Sequence, residues 1–63
     1  MSVGENIEKL RKRKGLTQKE LGDRIGVSES AICKFEKNRL PVSLAIAADL
    51  AKIFGVELNA LIE

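Results

Sequence analysis

The chain predicts an all-α domain of five short helices. Apolar residues recur every three to four positions, Ser or Thr stands repeatedly just ahead of such runs, and Gly or Asn stands just behind them. No segment shows sustained alternation of apolar and polar residues flanked by turn residues, so no strand is expected.

The first helix begins at Ser2-Val3-Gly4-Glu5, a capping box in which Ser and Glu satisfy each other's backbone N–H groups. Val3, Ile7 and Leu10 follow at helical spacing. Lys12, Arg13 and Lys14 fall in the last turn, where cations suit the helix dipole, and Gly15 ends the run. Thr17-Gln18-Lys19-Glu20 is a second capping box, so Gln18 is the first residue of helix two. Leu21 and Ile25 share one face of it, and Gly26 stops it after about eight residues.

Ser28 caps helix three, whose apolar side is Ile32 and Phe35 with Ala31 beside them. Asn38 tolerates a left-handed backbone, so this helix should stop near Lys37, leaving Arg39-Leu40-Pro41-Val42 as a loop. Ser43 opens helix four, with Leu44, Ala47, Leu50, Ala51 and Phe54 on one face. Its charges are Asp49 and Lys52, which implies more than one packing partner. Gly55 stops it. Val56 to Ile62 form a last short helix with Leu58 and Leu61 inward.

Sixty-three residues make a single domain, 1–63, with a thin stability margin. One cysteine, Cys33, excludes an internal disulfide, and the cytosol is the expected compartment. No apolar run approaches the roughly 20 residues of a membrane span, and Met1 to Leu10 lacks a signal-peptide core, so no membrane partner is expected. Charge is uneven. Residues 1–39 hold ten Lys/Arg against six Asp/Glu; residues 40–63 hold one Lys against three Asp/Glu. Such a chain suits a polyanion met on one side.

Enzymatic chemistry has little to stand on. There is no His and no Tyr, and Cys33 has no evident base. No metal-ligand cluster or phosphate loop occurs, so neither a metal nor a cofactor is expected, and no small-molecule ligand is implied. Glu5, Glu8, Glu20, Asp23 and Glu36 have capping, solvent or ion-pair explanations.

The informative stretch runs from Gln18 to Phe35. Two helices joined through Ile25-Gly26-Val27-Ser28 need a residue free to take positive φ, which Gly26 supplies. Leu21, Ile25, Val27, Ile32 and Phe35 lock helix two against helix three, and Gly22 lets the two backbones approach. With its inner face in the core, helix three presents Ser28, Glu29, Ser30 and Lys34 outward, behind a helix N-terminus with unpaired N–H groups. A helix so displayed fits the DNA major groove, where each base pair has a distinct donor and acceptor pattern. Cys33 lies near that face; it reads as a small packing residue, with a redox switch as the sharper alternative.

Leu16 to Leu21, Ile25-Gly26-Val27-Ser28, Ile32 and Phe35-Glu36 together resemble the signature of the Cro and phage-repressor-like (XRE-like) helix-turn-helix regulators. Leu50 to Val56 and Leu58 to Leu61 resemble that family's helices four and five, so the likeness spans roughly residues 4–62. It implies a compact lambda-repressor-like fold with the helix-turn-helix at helices two and three. It also implies a regulator of transcription, repressor or activator, that binds a palindromic double-stranded operator as a homodimer.

The same resemblance implies that Gln18 binds a phosphate, that Ser28, Glu29, Ser30 and Lys34 face bases or adjacent phosphates, and that Lys37, Asn38 and Arg39 hold the sugar-phosphate backbone. Arg11 and Glu36 match a structural ion pair of relatives. The chain departs from the pattern at Pro41, one residue early, at Asn38, where Gly is frequent, and at Glu29, an anion suited to cytosine N4. Ile46 and Ile53 either pack on helix five or join Val56, Leu58 and Ile62 in a two-fold dimer surface. The competing class is a protein-interaction module of the same fold, such as an antitoxin. Partner binding without retention on duplex DNA would distinguish it.

Overall fold

A computed structural model describes residues 2–63, which form α1 (Val3–Arg13), α2 (Gln18–Ile25), α3 (Glu29–Glu36), α4 (Leu44–Phe54) and α5 (Leu58–Ile62). Among the described residues there is no strand. Each of the first four helices starts where a side-chain oxygen takes up a backbone N–H. Ser2 accepts from Glu5, Thr17 from Glu20, Ser28 from Ala31 and Ser43 from Ile46. At Ser2 and Thr17 the box is closed by the return bond, from Ser2 N–H to Glu5 Oε1 at 3.2 Å and from Thr17 N–H to Glu20 Oε1 at 2.8 Å. Those bonds hold both carboxyls below their ordinary value of 4.5, the backbone N–H bond being the largest cause in each case.

The same device ends four helices. Gly15, Gly26, Asn38 and Gly55 all take positive φ. In each case the next residue's N–H reaches five residues back: Leu16 to Arg11, Val27 to Gly22, Arg39 to Lys34, and Val56 to Ala51. Leu16, Val27 and Val56 fold back as half-buried apolar residues against the core.

The core draws on every helix: Ile7 from α1, Leu21 from α2, Ile32 and Phe35 from α3, Ala47, Leu50 and Phe54 from α4, and Leu61 from α5. Two glycines set how closely the layers meet. A Cβ at Gly4 would lie 2.5 Å from the Glu36 carbonyl oxygen and 2.6 Å from that of Phe35, so the start of α1 rests directly on the end of α3. A Cβ at Gly22 would lie 2.5 Å from the Val27 carbonyl oxygen, so α2 rests on the turn that follows it. Asn6, buried on α1, donates from Nδ2 to the Leu61 carbonyl at 2.8 Å and fastens α5.

Two sequence expectations change. The last helix begins at Leu58, not Val56. The left-handed Gly55 sends Val56 back toward the core, and Glu57 occupies the cap position without a side-chain cap bond. Leu44, expected inward, is 70% exposed. As the first residue of α4 it precedes the turn at which that face meets the core, and burial on this stripe begins at Ala47.

Candidate nucleic-acid interface

At 3.6 residues per turn, Ile32, Phe35 and Glu36 fall on one side of α3 and Ser30, Lys34 and the cap residue Lys37 on the other; Glu29 shares the stripe of Glu36 but lies in the first turn, at the exposed end of the helix. Burial follows that division. Ile32, Phe35 and Glu36 are buried, whereas Ser28, Glu29, Ser30, Lys34 and Lys37 are exposed. Cys33 is half-buried within the outward arc. The helix stands proud because Gly26, at φ 77, turns the chain just ahead of it, and Ser28 then caps it.

The three cations beside this face are unpaired. Lys34, Lys37 and Arg39 have no ion-pair partner among the described residues, whereas Lys12 pairs with Glu8 and Lys19 with Asp23 along exposed helix faces. Arg39 is also the exception among the helix endings: where Leu16, Val27 and Val56 turn apolar side chains inward, the equivalent position after α3 carries an exposed guanidinium. Its charge is therefore held at the surface beside the outward face of α3 rather than in packing.

Behind the face lies a buried polar cluster. Arg11 Nε donates to Glu36 Oε2 at 2.6 Å and Arg11 Nη2 to Glu36 Oε1 at 3.2 Å, a two-pronged ion pair. Arg11 Nη1 donates to the Leu16 carbonyl at 2.8 Å. The hydrogen bond to Glu36 raises the Arg11 pKa above its ordinary value, so the guanidinium stays charged. The pair ties α1 and the following turn to the end of α3. Gln18, half-buried at the start of α2, donates from Nε2 to Glu36 Oε1 at 3.0 Å.

Asn38 is engaged differently from the sequence expectation. It is exposed, but its Oδ1 accepts from Gly4 N–H at 3.1 Å and its Nδ2 donates to Ser2 Oγ at 2.9 Å. Both ends of its amide serve α1 and its backbone N–H donates to the Phe35 carbonyl at 3.1 Å, which leaves the second Nδ2 donor as the group available to a ligand. Sequence reasoning missed this clasp, the Gln18–Glu36 bond and the Asn6–Leu61 bond. Each spans 18 to 55 residues, and no local spacing announces it. Unexpected too was the close seat of Gly4.

Of the five residues expected at a dimer surface, Ile46, Ile53, Val56 and Leu58 are half-buried against the core, and Ile62 is exposed. Among the described residues the other exposed large apolar side chains are Leu40 and Leu44. Leu40 and Ile62 line one open groove with Val3, Pro41 and Val42, at the loop that leaves α3. Among the described residues no group of three or more His, Cys, Asp or Glu is placed to hold a metal ion. Among the described residues no helix is long and apolar enough to cross a membrane.

Residues 7–61 match the Helix-turn-helix family. The chain is 43% identical over 51 residues to an HTH-type transcriptional regulator of Methanothermobacter thermautotrophicus, covering 81% of this chain and 74% of that protein. It is 38% identical over 59 residues to the propionyl-CoA carboxylase regulator of Cereibacter sphaeroides, covering 94% of this chain but 13% of that longer protein. The fold superposes on the P22 c2 repressor, solved in complex with a synthetic operator, with a TM-score of 0.93. The match covers 100% of this chain and 96% of that one at 27% identity.

Proposed function

Because the chain belongs to the Helix-turn-helix family, we propose that it is a DNA-binding transcriptional regulator, acting as a repressor through α3 in the major groove. The observation that carries this reading is the outward face of α3: exposed hydrogen-bonding groups flanked by three cations with no internal partner. Glu29, Ser30 and Lys34 address base edges. Ser28 and Gln18, at helix N-termini, and Lys37, Arg39 and the second Nδ2 donor of Asn38 hold phosphates. The P22 c2 repressor, matched along the whole chain and solved in complex with a synthetic operator, supports DNA binding by this fold.

The working unit is a homodimer on an inverted-repeat operator in the cytoplasm. Its two α3 helices lie about 34 Å apart, one turn of duplex. Domains 24 Å in longest extent, set side by side, can span that distance. The exposed Leu40, Leu44 and Ile62 supply the apolar contact, with the half-buried Ile46, Ile53, Val56 and Leu58 contributing what they still expose. Selection of bound duplexes from a random pool tests the reading. Two inverted half-sites should be enriched, each with cytosine opposite Glu29, and Glu29→Gln should lose that cytosine. A folded protein that retains no duplex at low salt would overturn it.

A further inference from the structure

The buried cluster behind α3 bears on how a phosphate is held at the start of α2. Resting on the phosphate contact assigned to Gln18, we infer that Glu36 is a positioning residue that fixes the Gln18 amide with a donor facing outward. The primary amide of Gln18 has two donors on Nε2 and an acceptor at Oε1. One donor is taken by Glu36 Oε1 at 3.0 Å; the second has no acceptor among the described residues. Flipping the amide would set its oxygen against a carboxylate oxygen, so the orientation has one favoured sense. A phosphate accepts hydrogen bonds and donates none, and the fixed sense is the one it needs.

The carboxylate is itself immobile. It is buried, gripped on both oxygens by Arg11, and Arg11 is held in turn by the Leu16 carbonyl. Its charge is matched by Arg11 at 2.6 Å, so it orients Gln18 without presenting a net anion to the duplex. Glu36 thus has two separable effects: it holds α1 on α3 through Arg11, and it sets the polarity of a surface donor through Gln18.

A thermodynamic cycle separates them. Gln18→Ala, Glu36→Gln and the double variant are titrated against a thirty-base-pair duplex of mixed sequence at low salt, with thermal unfolding recorded in parallel. Glu36→Gln should weaken binding about 3- to 10-fold when Gln18 is present and less than about 2-fold when it is Ala, the scale of one hydrogen bond. Its stability loss should persist in both backgrounds. An equal affinity loss in both backgrounds would overturn the positioning role and leave DNA binding standing. No affinity loss in Gln18→Ala would overturn the phosphate contact itself.

Should Glu36→Gln not fold, the unaltered protein still decides the matter. In NMR spectra the two Gln18 amide protons, distinct in any glutamine, should differ in exchange and in their response to duplex. The one bonded to Glu36 should exchange slowly and stay in place on addition of duplex, while the other shifts. Equal exchange, or movement of both, would overturn the inference.

Discussion

Gly4→Ala is the substitution for which helix propensity and packing predict opposite signs. Alanine is the better helix former by about 1 kcal/mol, so an exposed helical glycine would gain from the change. Gly4 is buried, and the new Cβ would lie 2.5, 2.6 and 2.7 Å from the Glu36 and Phe35 carbonyl oxygens and Asn38 Oδ1, where ordinary contact begins at 3.4 Å. Two of the three obstacles are backbone at the end of α3, which cannot swing aside. The helices must separate by much of an ångström, loosening Ile7 and the Arg11–Glu36 pair. Overpacking costs about 1–3 kcal/mol, and with three contacts under 3.0 Å, two of them to backbone, this one falls at the upper end, about 2–3 kcal/mol. Set against the propensity gain, the net loss is about 1–2 kcal/mol. For a domain of this size that is a fall in Tm of roughly 4–16 °C at 4–8 °C per kcal/mol. Circular dichroism melting measures it directly. A Tm equal to or above that of the unaltered protein would refute the steric account of how α1 seats on α3.

Four other outcomes follow from the same geometry. Arg11→Ala strands the buried Glu36 carboxylate and should lower stability in urea titrations by about 3–5 kcal/mol, enough to unfold much of the population. The Glu5 and Glu20 carboxyls bind protons less tightly folded than unfolded. Their stabilisation is therefore in place above 4.5 and is lost as pH falls below it; melting of Glu5→Gln with Glu20→Gln should show a flatter acid limb. Arg39→Ala should weaken binding to all duplexes alike and reduce the log–log salt slope by about 0.9, whereas Lys34→Ala should relax base choice, as competition titrations will show. Leu44→Ser, at a side chain 70% exposed, should leave Tm within about 0.5 kcal/mol equivalent of the parent while shifting sedimentation toward monomer.

What the sequence reveals of this fold is what is encoded locally. The Ser and Thr caps, the Gly26 turn and the inward Ile32 and Phe35 depend on residues within one or two helical turns, and spacing alone exposes them. The outward set on α3 follows by subtraction once the inner face is known. The start of α5 is not visible that way, because Val56 is apolar for the sake of the preceding helix ending rather than the following helix. Leu44 shares the stripe of Ala47 and Leu50 by angle, but burial also depends on how far along its axis a helix meets its neighbours. Arg11 and Glu36 were paired by resemblance, since 25 residues separate them. Asn38 was assigned to the loop by its tolerance of positive φ; its two bonds to α1 depend on tertiary placement.

Asn38 therefore joins two parts of the molecule into a single opening unit. Gly4 N–H, near the start of α1, has its acceptor on the residue that ends α3, so releasing either end deprotects the other. Native-state amide exchange should then give Gly4 and Arg39 a common opening free energy, well above the fraying expected of a second residue in a helix and a surface loop. The edge of the recognition helix inherits the rigidity of the chain's first turn, and that inheritance is written in one side-chain amide.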